Sequence, residues 1–158
     1  SDYAEDVFDL ETQNYGETFT FNSTQLEVLN SLGEVTVNFS QRVLYDGNGN
    51  ELDKIWFKAG QIELNFTSTF EQNISCKLSI PESQRGADAI SIDLNAPYSG
   101  TPTDVSDNYD LSGSEIDFTK TAQGHSEFDL EFEFTITKTG SNPIKASESI
   151  SYSMALVD

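Results

Sequence analysis

The chain has 158 residues, with 8 Lys+Arg against 27 Asp+Glu and a formal net charge of -19 at pH 7. That balance repels phosphate backbones and anionic lipid surfaces, which argues against nucleic acid as a partner. At 36% hydrophobic and 11% aromatic residues the chain is nonetheless too rich in core formers to be disordered, and its length suits one domain with a real core.

The opening is acidic, and residues 1–16 are expected to be a tether ahead of a single domain spanning 17–158. Ser1 begins the sequence without a leader peptide, and no stretch approaches the ~20 apolar residues of a membrane helix. The expectation is a soluble chain, or one whose targeting segment has been removed or lies outside this sequence. Glu17 to Phe21 forms a first short strand with Phe19 and Phe21 in phase. One helix follows: Thr24 and Glu27 have capping-box spacing, Leu26, Leu29 and Leu32 form an apolar stripe, and Gly33 suits the stop.

Val35, Val37 and Phe39 open a longer strand that runs through Val43 to Tyr45. Asp46-Gly47-Asn48-Gly49-Asn50 supplies residues that tolerate positive φ, so Leu52 to Lys58 is expected to return as a hairpin partner. Ile62, Leu64 and Phe66 mark the next strand and Ile74 to Ile80 another, which Pro81 is expected to end by removing a backbone donor. Ile90, Ile92 and Leu94 follow a loop from Glu82 to Asp88. Ala96 to Asp110, with Pro97, Gly100 and Pro102, reads as the longest irregular connection. Ile116 and Phe118 lie on a short strand.

From Ser126 to Lys138 the apolar residues Phe128, Leu130, Phe132, Phe134 and Ile136 alternate with acids and threonines, which gives a long strand with one greasy and one acidic face. A turn at Gly140-Ser141-Asn142-Pro143 precedes the last strand, Ile144 to Leu156.

Nine or ten strands with one apolar face each predict an all-β fold, an antiparallel β-sandwich with at most one short helix. A membrane barrel would line its lumen with Glu127, Asp129, Glu131 and Glu133 and repel severely, whereas a soluble barrel around a hydrophobic ligand stays open as an alternative.

Little in the chain points to catalysis. His125 is the single histidine and falls in a turn; Cys76 is the single cysteine and shares its phase with Ile74, Leu78 and Ile80, so it is read as core. No Gly-rich phosphate loop and no nucleophile elbow is present, and the reading is not an enzyme. Asp46, Asn48, Asn50 and Asp53 place oxygen ligands as at the start of a calcium loop, although Glu51 stands where such a loop wants glycine. Calcium is therefore the one cofactor the residues suggest. Trp56, opposite in phase to Ile55 and Phe57, is expected at the surface, where it would stack on a sugar ring or mark a protein interface; Tyr98 and Tyr109 in the long connection are weaker candidates.

Ile55 to Ile80, IWFKAGQIELNFTSTFEQNISCKLSI, with Pro81-Glu82-Ser83 after it, resembles a β-rich module of Bacteroidota surface-exposed lipoproteins. Tyr109 to Thr119 (YDLSGSEIDFT) and the closing SISYSMAL resemble that module's second half, and Ser1 to Asp6 is similar to the acidic export tether of such lipoproteins. The resemblance carries no catalytic residues. It implies a secreted or outer-membrane-anchored protein, with membrane contact only through a lipid on a preceding cysteine. The expected role is a non-enzymatic binding or structural component of an envelope assembly with an envelope or outer-membrane protein partner. A carbohydrate-binding module and a lipid carrier are the alternatives.

Overall fold

The computed structural model describes residues 11–157, so residues 1–10 of the expected tether lie outside the described residues. Ten strands, one α-helix and a 3-10 turn follow in the order β1 (Gln13–Thr20), α1 (Ser23–Leu32), β2 (Glu34–Leu44), β3 (Lys54–Trp56), β4 (Gln61–Ser68), β5 (Asn73–Arg85), β6 (Asp88–Ala96), β7 (Thr103–Asp110), β8 (Ser114–Asp117), the turn Phe118–Lys120, β9 (Glu127–Thr137) and β10 (Ser149–Val157). Two antiparallel sheets face each other and do not close into a barrel. One has the order β1-β10-β4-β7. In the other β2 pairs β9, β9 pairs β5, and β5 carries β6 along its first half and β8, then β3, at its far end. The fold is the all-β sandwich that the alternation predicts.

The core fills the space between the sheets. Phe128, Phe132 and Phe134 are at most 1% exposed, so the greasy face of β9 points inward, while Glu131 and Glu133 on its other face point to water. Phe66 meets Phe134 edge-on at 5.6 Å between centroids, and Phe132 meets Tyr152 of the opposite sheet at 4.6 Å. Such pairs add about 0.5–1.5 kcal/mol each beyond the area they bury. Cys76 is buried among these residues, as its phase predicts.

Several local expectations need correction. The first strand begins at Gln13, so 13–16 are part of the sandwich rather than a tether. Asn22, not Thr24, caps α1: its Oδ1 accepts the Gln25 N–H at 2.8 Å, and Gln25 Oε1 accepts the Asn22 N–H at 2.9 Å. Asparagine and glutamine fill the capping box as well as threonine and glutamate do. That shift leaves Leu26 and Leu29 inward and Leu32 77% exposed. Gly33, at φ 80°, ends the helix as expected.

Residues 46–53 form no hairpin, because β2 pairs with β9 and β3 pairs with β8. Pro81 does not stop β5. It falls where the β5–β6 register shifts between Ile80 and Arg85 and where β5 has already left β9, so no ladder bond is lost at its nitrogen. The expected connection Ala96 to Asp110 contains a whole strand, β7, paired with β4 along its length. β7 is an edge strand with polar residues on both faces; Asp107 even takes the inward phase, opposite Leu64. Inward charges of this kind protect edges from unwanted pairing, and they erase the alternation that reveals a strand.

Candidate functional site

Trp56 sits where its phase places it. β3 pairs with β8 so that Ile55 faces Ile116 and Trp56 faces Glu115; Ile55 and Phe57 are buried, and the indole is 40% exposed. The Lys54 ammonium lies 5.0 Å from the indole centroid and 3.2 Å from Glu115 Oε2, so the ring carries a cation that is itself bound to a carboxylate. Arg85 pairs with Ser114, next to Glu115, and its guanidinium lies 5.3 Å from the Tyr109 ring while donating to the Asp110 carbonyl at 2.7 Å. Tyr98 belongs to the other end of the sandwich: its N–H donates to Asn73 Oδ1 at 2.7 Å, beside the start of β5. The three candidate aromatics therefore do not share one site. Tyr109 joins the Trp56 end, and Tyr98 stands alone at the α1 end.

The Asp46 to Asp53 loop uses its polar groups locally. Asp46 Oδ1 accepts the Asn48 N–H at 2.8 Å and Asn50 Nδ2 donates to the Gly47 carbonyl at 2.9 Å, with Asn48 and Gly49 at φ 57° and 88°. The loop is sewn to residues 118–126: Ser126 Oγ accepts the Leu52 N–H, the Ser126 N–H donates to the Leu52 carbonyl, and the Phe118 N–H to the Asp53 carbonyl, each at 2.8 Å. Among the described residues, Asp46 and Asp53 join no group of three or more His, Cys, Asp or Glu side chains able to hold a metal ion. The Asp46 carboxylate, the Asn48 N–H and the Asn50 amide thus each make a bond inside the turn.

His125 and Cys76 are also occupied or withdrawn. His125 Nε2 lies 3.0 Å from Glu51 Oε2, and burial pushes the Cys76 thiol far above its ordinary range, so no thiolate is on offer. Two carboxylates, Glu82 and Asp129, meet where β5 departs from β9. There Glu82 Oε1 accepts the Asp129 N–H at 2.8 Å, standing in for the strand that has left. Asp129 receives both Arg42 Nε and Nη2 at 2.9 Å and is held below the usual carboxylate range by that guanidinium. Glu82, buried beside it, is pushed up to about 7 by desolvation and by its carboxylate neighbour. Glu127 is 3.6 Å from Arg42 on the same face.

Two hollows bear on ligand binding. A groove of about 580 Å³ runs between α1 and residues 138–146, with Leu26 and Ile144 in its floor and Glu27, Asn30, Lys138 and Lys145 on its walls. Lys138 Nζ donates to Asn30 Oδ1 at 3.1 Å, and Lys145 pairs with Glu71 at 3.5 Å. The wall opposite α1 is irregular chain held from within by Gln72, which is fully buried: its amide donates to the Asn142 and Pro143 carbonyls at 3.2 Å and accepts the Thr139 N–H at 2.6 Å. A second, apolar slit opens between β4/β7 and β5/β6, lined by Phe66, Ile74, Leu94 and Val105, with about 10 Å³ of free space. That holds at most one water and no acyl chain.

No protein-family model matches the chain, and no curated protein does. Among solved structures it is similar to the enzymatically active domain of tailspike protein 4 of bacteriophage CBA120, at 12% identity and a TM-score of 0.41; the match covers 94% of this chain and 19% of that one, so the chain spans about a fifth of the tailspike domain. A CBM4 structure is similar at 15% identity and a TM-score of 0.33, covering 82% of both chains. TmCBM61 in complex with beta-1,4-galactotriose is similar at 12% identity and a TM-score of 0.33, covering 93% of this chain and 83% of the other. At these scores the likenesses assign neither a family nor a ligand to this chain.

Sequence reasoning misses Gln72, Glu82 and the groove. Buried Gln72 and Glu82 act on backbone atoms of segments far along the chain, from Asp129 to Thr139, and no local spacing encodes that.

Proposed function

We propose that this chain is a non-enzymatic binding or structural module of a secreted or cell-surface protein, working at the envelope as part of a larger assembly. The observation that carries the reading is the filled interior: the core is packed to the point that its apolar slit has about 10 Å³ free, so a partner would be met on the outer surface. The burial of the Cys76 thiol and the engagement of His125 Nε2 with Glu51 are in keeping with this reading. Location at the envelope rests on the sequence resemblance alone. The test is retention of a discrete protein from envelope extract under mild detergent, competed by excess free protein. Failure to retain any protein, together with turnover of a substrate, would overturn the reading.

A carbohydrate-binding role is the second reading, favoured by the half-exposed Trp56 ring with Lys54 over one face. A glycan array probed with wild type and Trp56→Ala separates the two. A sugar signal lost in the variant selects this second reading; a blank array removes it.

A further inference from the structure

We infer that the outer edge of β2 is a docking edge that accepts an extended, basic peptide segment from another protein as an additional strand. This deepens the binding reading above and rests on it.

The bonds at the two ends of the β2–β9 ladder fix which backbone groups are free. Lys138 N–H bonds the Gly33 carbonyl and Tyr45 N–H bonds the Ser126 carbonyl, each at 2.8 Å, so the odd-numbered residues of β2 bond toward β9. The N–H and C=O groups of the even-numbered residues therefore point away from the sheet. The Leu44 carbonyl confirms the phase from the other side, because the Tyr15 hydroxyl, outside the sheet, donates to it at 2.8 Å. From Thr36 to Ser40 the outward groups have no backbone partner among the described residues.

The other edges carry safeguards that β2 lacks. β1 places Glu17 and β7 places Asp107 in the inward phase, where a charge obstructs an arriving strand; β6 has Asp93 mid-strand; β3 is three residues long. β2 runs for 11 residues without proline or bulge, and its charges, Glu34 and Arg42, lie near its ends, with Arg42 already locked on Asp129.

The surroundings of the edge specify the occupant. Alternate residues of an added strand would point inward over the half-buried Val35 and Phe39, and the others outward across β2 toward exposed Glu131 and Glu133 of β9. Apolar residues alternating with lysine or arginine fit both sides. The net charge of -19 would steer such a segment in and disfavours a second copy of the same chain.

The experiment uses a blocked peptide of about nine residues alternating lysine and valine, the same peptide with glutamate for lysine, and the whole protein. Amide hydrogen exchange by NMR is expected to show new protection of Thr36, Asn38 and Ser40 with the basic peptide only, with affinity falling as salt rises. Asn38→Pro removes only an outward N–H, at the kind of position where edge strands take proline, and should weaken binding at least tenfold with the fold intact. Glu131→Gln with Glu133→Gln should weaken it severalfold and leave the protection pattern unchanged. Unaltered affinity in Asn38→Pro, protection on another edge, or a β2-paired dimer in light scattering overturns the inference. If the basic peptide is ignored while an envelope protein is still retained, the edge assignment falls and the binding reading stands; if nothing is retained, both fall.

Discussion

Gln72 and Glu82 do the same job at opposite ends of the second sheet, and they do it with different chemistry. Each is a buried polar side chain that satisfies backbone groups where the ladder gives out: Gln72 serves Thr139, Asn142 and Pro143, and Glu82 serves Asp129. An amide donates and accepts, so Gln72 closes all its bonds without charge. An ionised carboxylate only accepts, and Glu82 faces Asp129, a second carboxylate whose oxygens Arg42 already holds. Glu82 therefore favours the protonated form, with its titration raised from 4.5 to about 7. The neutral clamp is indifferent to pH and the acidic one is not.

Removing the neutral clamp has the largest expected effect. Gln72→Leu strands one N–H and two carbonyls, and at about 1–3 kcal/mol for a buried group left unpaired, moderated by water entry, the loss should be about 3–5 kcal/mol in urea unfolding. Moving the acid to the other end comes next. Gln72→Glu keeps the acceptor for Thr139 N–H and loses the donors, so it should cost about 2–3 kcal/mol at pH 7 and recover part of that at pH 5, where the carboxyl takes up a proton.

Glu82→Gln should act in the opposite direction. A carboxyl whose folded-state titration is raised contributes stability that is complete below its ordinary value of 4.5 and is lost as pH climbs through about 7. The wild-type urea midpoint should therefore fall between pH 5 and pH 8. The glutamine variant should remove that fall and gain about 1–2 kcal/mol at pH 8. A wild-type midpoint that is flat over this interval would refute the contrast between the two clamps. Arg42→Ala has the smallest expected effect. Asp129 titrates below its ordinary 3.8, so its contribution is present above that value and lost as pH falls; without the guanidinium the acid limb should move to higher pH, and the change should shrink in added salt.

The same contrast explains what the sequence discloses. Phe128 to Ile136 can be read directly, because period-2 burial needs only the strand itself, and the display of Trp56 follows from the phase of Ile55 and Phe57. β7 could not be read, since an edge strand with Asp107 turned inward has no alternation to detect. The mistaken hairpin at 46–58 has a similar origin: Asn48 and Gly49 do adopt positive φ, but the turn they make joins strands whose partners, β9 and β8, lie far along the chain. Turn chemistry is local and pairing is not. The calcium expectation rests on the same kind of local signal, since oxygen spacing along a loop says nothing of where Asp46 Oδ1 and Asn50 Nδ2 find their bonds.

Among the described residues β1 has a single ladder partner, β10, whose other side is paired with β4. During synthesis β1 must thus wait until β10 has been made, leaving Phe19 and the inner face of β4 without their final neighbours until then. Assembly of that sheet is slow by topology, and a nascent chain lacking β10 would be the form most in need of a chaperone.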